Sequence, residues 1–157
     1  MTMETVGHAA VSRGNITLVL LRVVTGALFL QHGLQKHFAI PTAPGDAPLA
    51  MWSLPWTAGM LELVGGVLLI VGLLTRITAV VLALEMLVAY VMVHAPQHAW
   101  PVANGGELAL LYALVFIRLA VTGPGRRSLD ALFDRGPVDR SMRHDRVDPA
   151  GVRGATA

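Results

Sequence analysis

Five residues scattered along this chain have side chains suited to proton exchange with a bound ligand. His32 and Lys36 stand one helical turn apart in LRVVTGALFLQHGLQK. Glu62 lies inside LELVGGVLLIVGLLTR, and Glu107 follows Asn104 in WPVANGGELALLY. Two carboxylates can accept protons, and a histidine or a lysine can donate one to a ligand oxygen. The amide of Asn104 adds a donor and an acceptor. This set suits a molecule that carries carbonyl oxygens and exchanges protons. Three further charges, Arg22, Glu85 and Arg118, are set equally deep in apolar sequence.

The segments that must position them are far too apolar for a water-soluble domain. The chain is 54% hydrophobic and only 14% charged, with a mean hydropathy of +0.60. A soluble domain has about 25% charged residues. The length of 157 residues fits one domain. Four segments, residues 16–37, 55–74, 77–94 and 106–122, are long enough to cross a hydrocarbon layer of about 30 Å at about 1.5 Å per residue. The predicted fold is therefore all-α, a polytopic membrane protein built as a four-transmembrane-helix bundle over residues 15–123. With no cysteine, disulfides, thiolate metal ligands and thiol redox chemistry are excluded for this chain. Arg22 inside the first segment argues against a cleaved signal peptide.

Loop charge sets the expected orientation. Arg13, Arg76 and the arginines of the C-terminal tail fall on one side, and Lys36 falls on the other. The positive-inside rule then places both termini in the cytoplasm and the chain in the inner or plasma membrane. Trp52, Trp56 and Trp100 fall in or beside the two outward loops, where tryptophan favours the membrane–water interface. Residues 1–14 read as a cytoplasmic arm. Residues 124–135 read as a short interfacial amphipathic helix, with Ser128 as its N-cap and Leu129, Leu132 and Phe133 on one face. Residues 136–157 read as a basic, disordered tail. Its localised charge suits lipid headgroups or a soluble partner, not nucleic acid.

Ionisable groups in lipid should face the bundle interior. Helical geometry puts Arg22, His32 and Lys36 on one face of the first segment. Glu62 shares its face with Gly59, Gly65 and Gly66, small residues that permit close helix contact. Glu107 and Arg118 are aligned three turns apart, about 16 Å. Counting depth from the span boundaries sorts the charges into two layers. Arg22, Arg118 and Glu85 lie about 9, 6 and 12 Å inside the cytoplasmic boundary, an expected structural ion-pair layer. His32, Lys36, Glu62 and Glu107 form the expected outer cluster.

These phrases, in this order, resemble the DoxX family of small four-helix bacterial membrane proteins. The resemblance spans residues 15–133 and includes a third apolar helix ending in His94, and GPGRRSLD. Its recurrent polar positions match Arg22, His32, Gly33, Lys36, Glu62, Arg76, Asn104, Gly105, Glu107 and Asp130. The family includes a membrane subunit of a thiosulfate:quinone oxidoreductase, and the four-helix plan is similar to that of the vitamin K epoxide reductase group. The resemblance thus implies a redox-associated subunit; with no redox cofactor evident in the sequence, the electron source is a partner protein or the quinone's own donor.

Three functions fit these residues. The first is a quinone-type site near the outer face, with His32, Glu62, Asn104 and Glu107 at the ligand and Lys36 as a further proton donor. A quinone needs an apolar slot with polar groups at one end. The second is a non-catalytic anchor that recruits a soluble partner. The third is a metal or small-solute site at His32, Glu62, His94 and Glu107, although no histidine pair at i, i+4 supports it. Association of two copies would enlarge any conduit.

Overall fold

The computed structural model describes residues 3–41 and 49–133, with side chains from residue 16 onward. The tail over residues 136–157 lies outside the described residues. Among the described residues six α-helices follow in order: α1 (Met3–Phe38), α2 (Leu54–Val71), α3 (Thr75–Ala89), α4 (Pro101–Asn104), α5 (Glu107–Thr122) and α6 (Leu129–Phe133). A π-helical turn, Tyr90–His94, extends α3. No strand occurs among the described residues. The backbone of α1 runs unbroken through the segment read as an N-terminal arm.

Among the described residues, three helical stretches are long and apolar enough to cross a membrane: Ile16–Phe38, Leu54–Val71 and Thr75–His94. The fourth apolar helix, α5, has 16 residues. Their outward surfaces carry exposed Leu20, Val24, Val64, Val67, Ile77 and Leu114. An aliphatic exterior of this kind is stable against lipid rather than water.

Local sequence explains the helix ends. Ser53 caps α2, its Oγ accepting from the Trp56 N–H at 3.3 Å, and Pro55 stands in the first turn where no N–H is needed. Gly72 ends α2 in the left-handed region at φ 72°, which a glycine adopts without strain. The chain then turns through Leu74 (φ 51°) directly into α3.

Helices α1 and α2 run antiparallel in close contact. A methyl group on Gly26 would lie 3.0 Å from the Gly66 carbonyl, and one on Gly33 would lie 2.8 Å from the Gly59 carbonyl. The pairs advance by seven residues in opposite directions along the two helices, so these small residues let the backbones approach closely along the seam. The core between the helices is Phe29, Leu69, Leu82, Met86, Phe116 and Leu119 with four alanines. Phe29 meets Phe116 and Tyr112 edge-on, at centroid separations of 4.8 and 5.2 Å.

The end bearing the α2–α3 turn is closed by polar contacts. Asp130 of α6 accepts from the N–H groups of Leu74 at 2.7 Å and Thr75 at 2.9 Å, and so caps α3. Partial burial alone would raise the Asp130 carboxyl. The two N–H donors and the Arg22 charge outweigh it and hold its pKa below the ordinary value. Arg76 donates to the carbonyls of Ala120 and Val121 and satisfies the end of α5. Arg22, 2% exposed, donates to the Arg127 carbonyl at 2.9 Å and packs on Gly72. The expected layer of Arg22, Glu85 and Arg118 is therefore not assembled. Arg22 turns to the α6 segment, Arg118 is exposed, and neither pairs with Glu85.

Candidate functional site

A cavity of about 730 Å³ opens between α1, α2, α3 and α5, toward the end opposite the α2–α3 turn. Most of its wall is aliphatic and aromatic, with Phe29, Leu61, Leu84, Val88, Met92 and Leu108 among the lining residues. Seven polar side chains interrupt that wall: His32, Lys36, Thr57, Glu62, Glu85, His94 and Tyr112. A mainly apolar slot with a few convergent polar groups is the usual form of a small-molecule site.

The central contact is an ion pair. Lys36 Nζ donates to Glu62 Oε1 at 2.6 Å across the α1–α2 seam. Glu62 is 3% exposed, while the Lys36 side chain retains 29% exposure. The neighbouring Gly33 and Gly59 allow the two backbones near enough for a short bridge. A buried carboxylate in lipid needs such a partner to remain ionised. Its second oxygen, Glu62 Oε2, has no hydrogen-bond partner.

Glu85 is the larger surprise. Both of its carboxylate oxygens are buried and unbonded, and its electrostatic neighbours are Glu62 and Lys36. Its placement follows from connectivity. Glu62 lies ten residues before Gly72, and Glu85 lies ten residues after Thr75, across one tight turn. At about 1.5 Å per residue both carboxylates stand about 15 Å from that turn. They share a level, whereas depth counted from separate span boundaries divides them.

His32 is half-buried and stacks edge-on against Phe29 and Tyr112, at 6.2 and 5.9 Å between ring centres. His94 ends the π-helical turn, and its Nδ1 donates to the Asn104 carbonyl at 2.9 Å. Such turns are frequent at functional sites because they re-aim side chains. With Nδ1 protonated, a neutral His94 presents Nε2 as an acceptor.

Two expected site residues are absent from this wall. Asn104 is 5% exposed, but its side chain is consumed within its own loop. Its Nδ2 donates to the His98 carbonyl at 2.7 Å, and its Oδ1 accepts from the Gly106 N–H at 2.8 Å. Asn104 holds His94 through its backbone rather than lining the cavity. Glu107 is exposed at the first turn of α5, where a carboxylate complements the helix dipole. Its shared face with Arg118 is the outward one. The four residues of the metal reading are accordingly not brought together, and no cluster of three or more metal-ligating side chains occurs among the described residues. Sequence reasoning missed Tyr112, which lines the cavity beside His32. Its only signal is its spacing from Ala109 and Phe116 on the buried face of α5.

Comparison with known proteins agrees with this architecture. The DoxX family model matches residues 17–95. An uncharacterized protein of Haemophilus influenzae is 40% identical over 126 residues, covering 74% of this chain and 90% of the relative. "Putative oxidoreductase CatD" of Bacillus subtilis is 34% identical over 77% of this chain and 90% of its own length. An uncharacterized membrane protein of Mycobacterium tuberculosis is 31% identical, covering 76% and 82% respectively. No solved structure matches. The chain belongs to the DoxX family.

Proposed function

We propose that this DoxX-family membrane protein is a redox-associated subunit whose cavity binds the headgroup of a lipid-soluble quinone. The observation that carries the reading is the cavity itself: an apolar slot of about 730 Å³ with Lys36, Glu62, Glu85, His32, His94 and Tyr112 converging on it. Lys36, His32 and Tyr112 supply donors for ligand oxygens, and the carboxylates supply sites that release or take up protons. Exposed Leu61, Val81, Leu84 and Val88 form the part of the wall on α2 and α3. An isoprenoid tail can leave between these helices into the bilayer while the headgroup stays at the ion pair. The name of the Bacillus subtilis relative, a suggested oxidoreductase, points the same way. Without cysteine this chain carries no thiol redox step of its own, and electrons come from a partner protein or from the quinone's own donor.

In this reading α5 is the fourth span. Both termini are cytoplasmic, with Arg76, Arg126 and Arg127 at the inner face and Trp52 and Trp100 at the outer interface. The cavity then lies in the outer half of the membrane. Quinone titration of the purified protein in lipid nanodiscs tests the assignment. Lys36→Met and Glu62→Gln should each weaken binding about tenfold, the loss of one charge-assisted contact. Unaltered affinity in both variants would refute the site.

A further inference from the structure

The cavity strands one kind of atom only. Among the described residues, the buried polar atoms on its wall that lack a partner are Glu62 Oε2, Glu85 Oε1 and Glu85 Oε2. All three are carboxylate oxygens. Every polar hydrogen on the wall is either satisfied or within reach of solvent, since none of the nitrogens there is stranded. Lys36 already spends one N–H on Glu62 Oε1, and His94 spends its Nδ1–H on the Asn104 carbonyl.

Stranded acceptors specify the complementary ligand. A buried acceptor left unmet is costly, and a ligand that donates to it recovers that cost. A ligand that presents only carbonyl oxygens faces the carboxylates with like polarity. The conclusion does not depend on the proton count. Lys36 occupies Glu62 Oε1, which leaves Oε2 as the free oxygen of that group. A protonated Glu85 adds one O–H, which a diol hydroxyl accepts as a dione carbonyl does, and it keeps one acceptor oxygen that only a donating ligand meets. Its level with Glu62 puts the two groups on one headgroup, not on two separate ligands.

We propose that Glu85 is a headgroup-binding residue of this cavity, and that the site takes the hydrogen-bond-donating form of its ligand, an aromatic diol, in preference to the corresponding dione. This rests on the quinone-type reading of the cavity and deepens it: the reduced carrier is the bound state. Glu62 Oε2 accepts from one hydroxyl and Glu85 from the same or the opposite one.

The test compares a short-tailed benzoquinone, decyl-substituted, with its reduced diol. Both are titrated anaerobically against the full-length protein in nanodiscs, with decylammonium as a third probe. Wild-type protein should bind the diol about tenfold more tightly than the dione, the worth of one good hydrogen bond. Glu85→Gln replaces one acceptor oxygen with a donor, so it should narrow that ratio toward one. The wild-type ratio requires no variant to fold and tests the proposal by itself. Equal binding of the two forms, or preference for the dione, overturns the proposal and leaves the quinone site standing. Failure of both forms to bind removes the quinone reading and the proposal with it. Binding of decylammonium alone overturns the proposal in favour of a cation site.

Discussion

At the residue scale the Lys36–Glu62 pair governs the site. Removing one member of a buried pair leaves an uncompensated charge, typically at a cost of about 3–5 kcal/mol. Lys36→Met should therefore lower the thermal midpoint in detergent markedly, and Lys36→Met with Glu62→Leu should recover part of the loss. Equal midpoints for the single and double variants would show that Glu62 does not depend on Lys36. This pair, with His32, was legible in the sequence because a charge in an apolar helix must face a neighbour. Glu85 was visible as a buried charge but was assigned to the wrong companions. Its level follows from the shared α2–α3 turn, not from a span boundary. Glu107 and Asn104 were marked by their polarity. Polarity alone does not tell a side chain aimed at a cavity from one capping a helix or tying down a loop.

At the element scale, backbone contact and capping hold the helices in place. A methyl on Gly33 would meet Leu63 at 2.7 Å and the Gly59 carbonyl at 2.8 Å, so α1 and α2 would have to separate. Gly33→Ala should destabilise the protein by about 1–3 kcal/mol. Exposed Gln31→Ala, on the opposite face, should shift stability by less than about 0.5 kcal/mol. Thermal melts of the two variants check the contrast. The cap on α3 gives a pH dependence with a definite sign. Because the Asp130 pKa is lowered in the folded protein, its contribution is fully present above the ordinary carboxylate value of 3.8. It is lost as pH falls from there through the lowered value. Asp130→Asn should flatten that acid limb in melts recorded over the range, and an unchanged limb would remove Asp130 as its source. The long N-terminal extension of α1 and the short α4 are not readable in the sequence, whereas the apolar runs of α1, α2, α3 and α5 are. Apolar run length and the Ser-Leu-Pro and Gly punctuation mark them. The roles of Arg22, Arg76 and Asp130 in joining remote segments are not readable, since those partners are more than forty residues distant in sequence.

At the scale of the whole molecule, the account places the cavity in the outer half of a membrane with both termini inside. The absence of native cysteine makes the topology directly testable. In right-side-out vesicles a membrane-impermeant maleimide should label Gln97→Cys and spare Arg126→Cys, two exposed positions at opposite ends of the bundle. The reverse pattern would invert the orientation. The central claim is that the cavity between α1, α2, α3 and α5 holds a quinone headgroup at Lys36 and Glu62. Photolabelling of the nanodisc-embedded protein with an azido-quinone, followed by peptide mapping, tests it most directly. The account predicts labelling confined to the cavity wall, residues 29–36, 54–62, 81–94 and 105–112, and suppressed by excess unlabelled quinone. Labelling scattered over lipid-facing positions such as Leu114, and indifferent to the competitor, would contradict it.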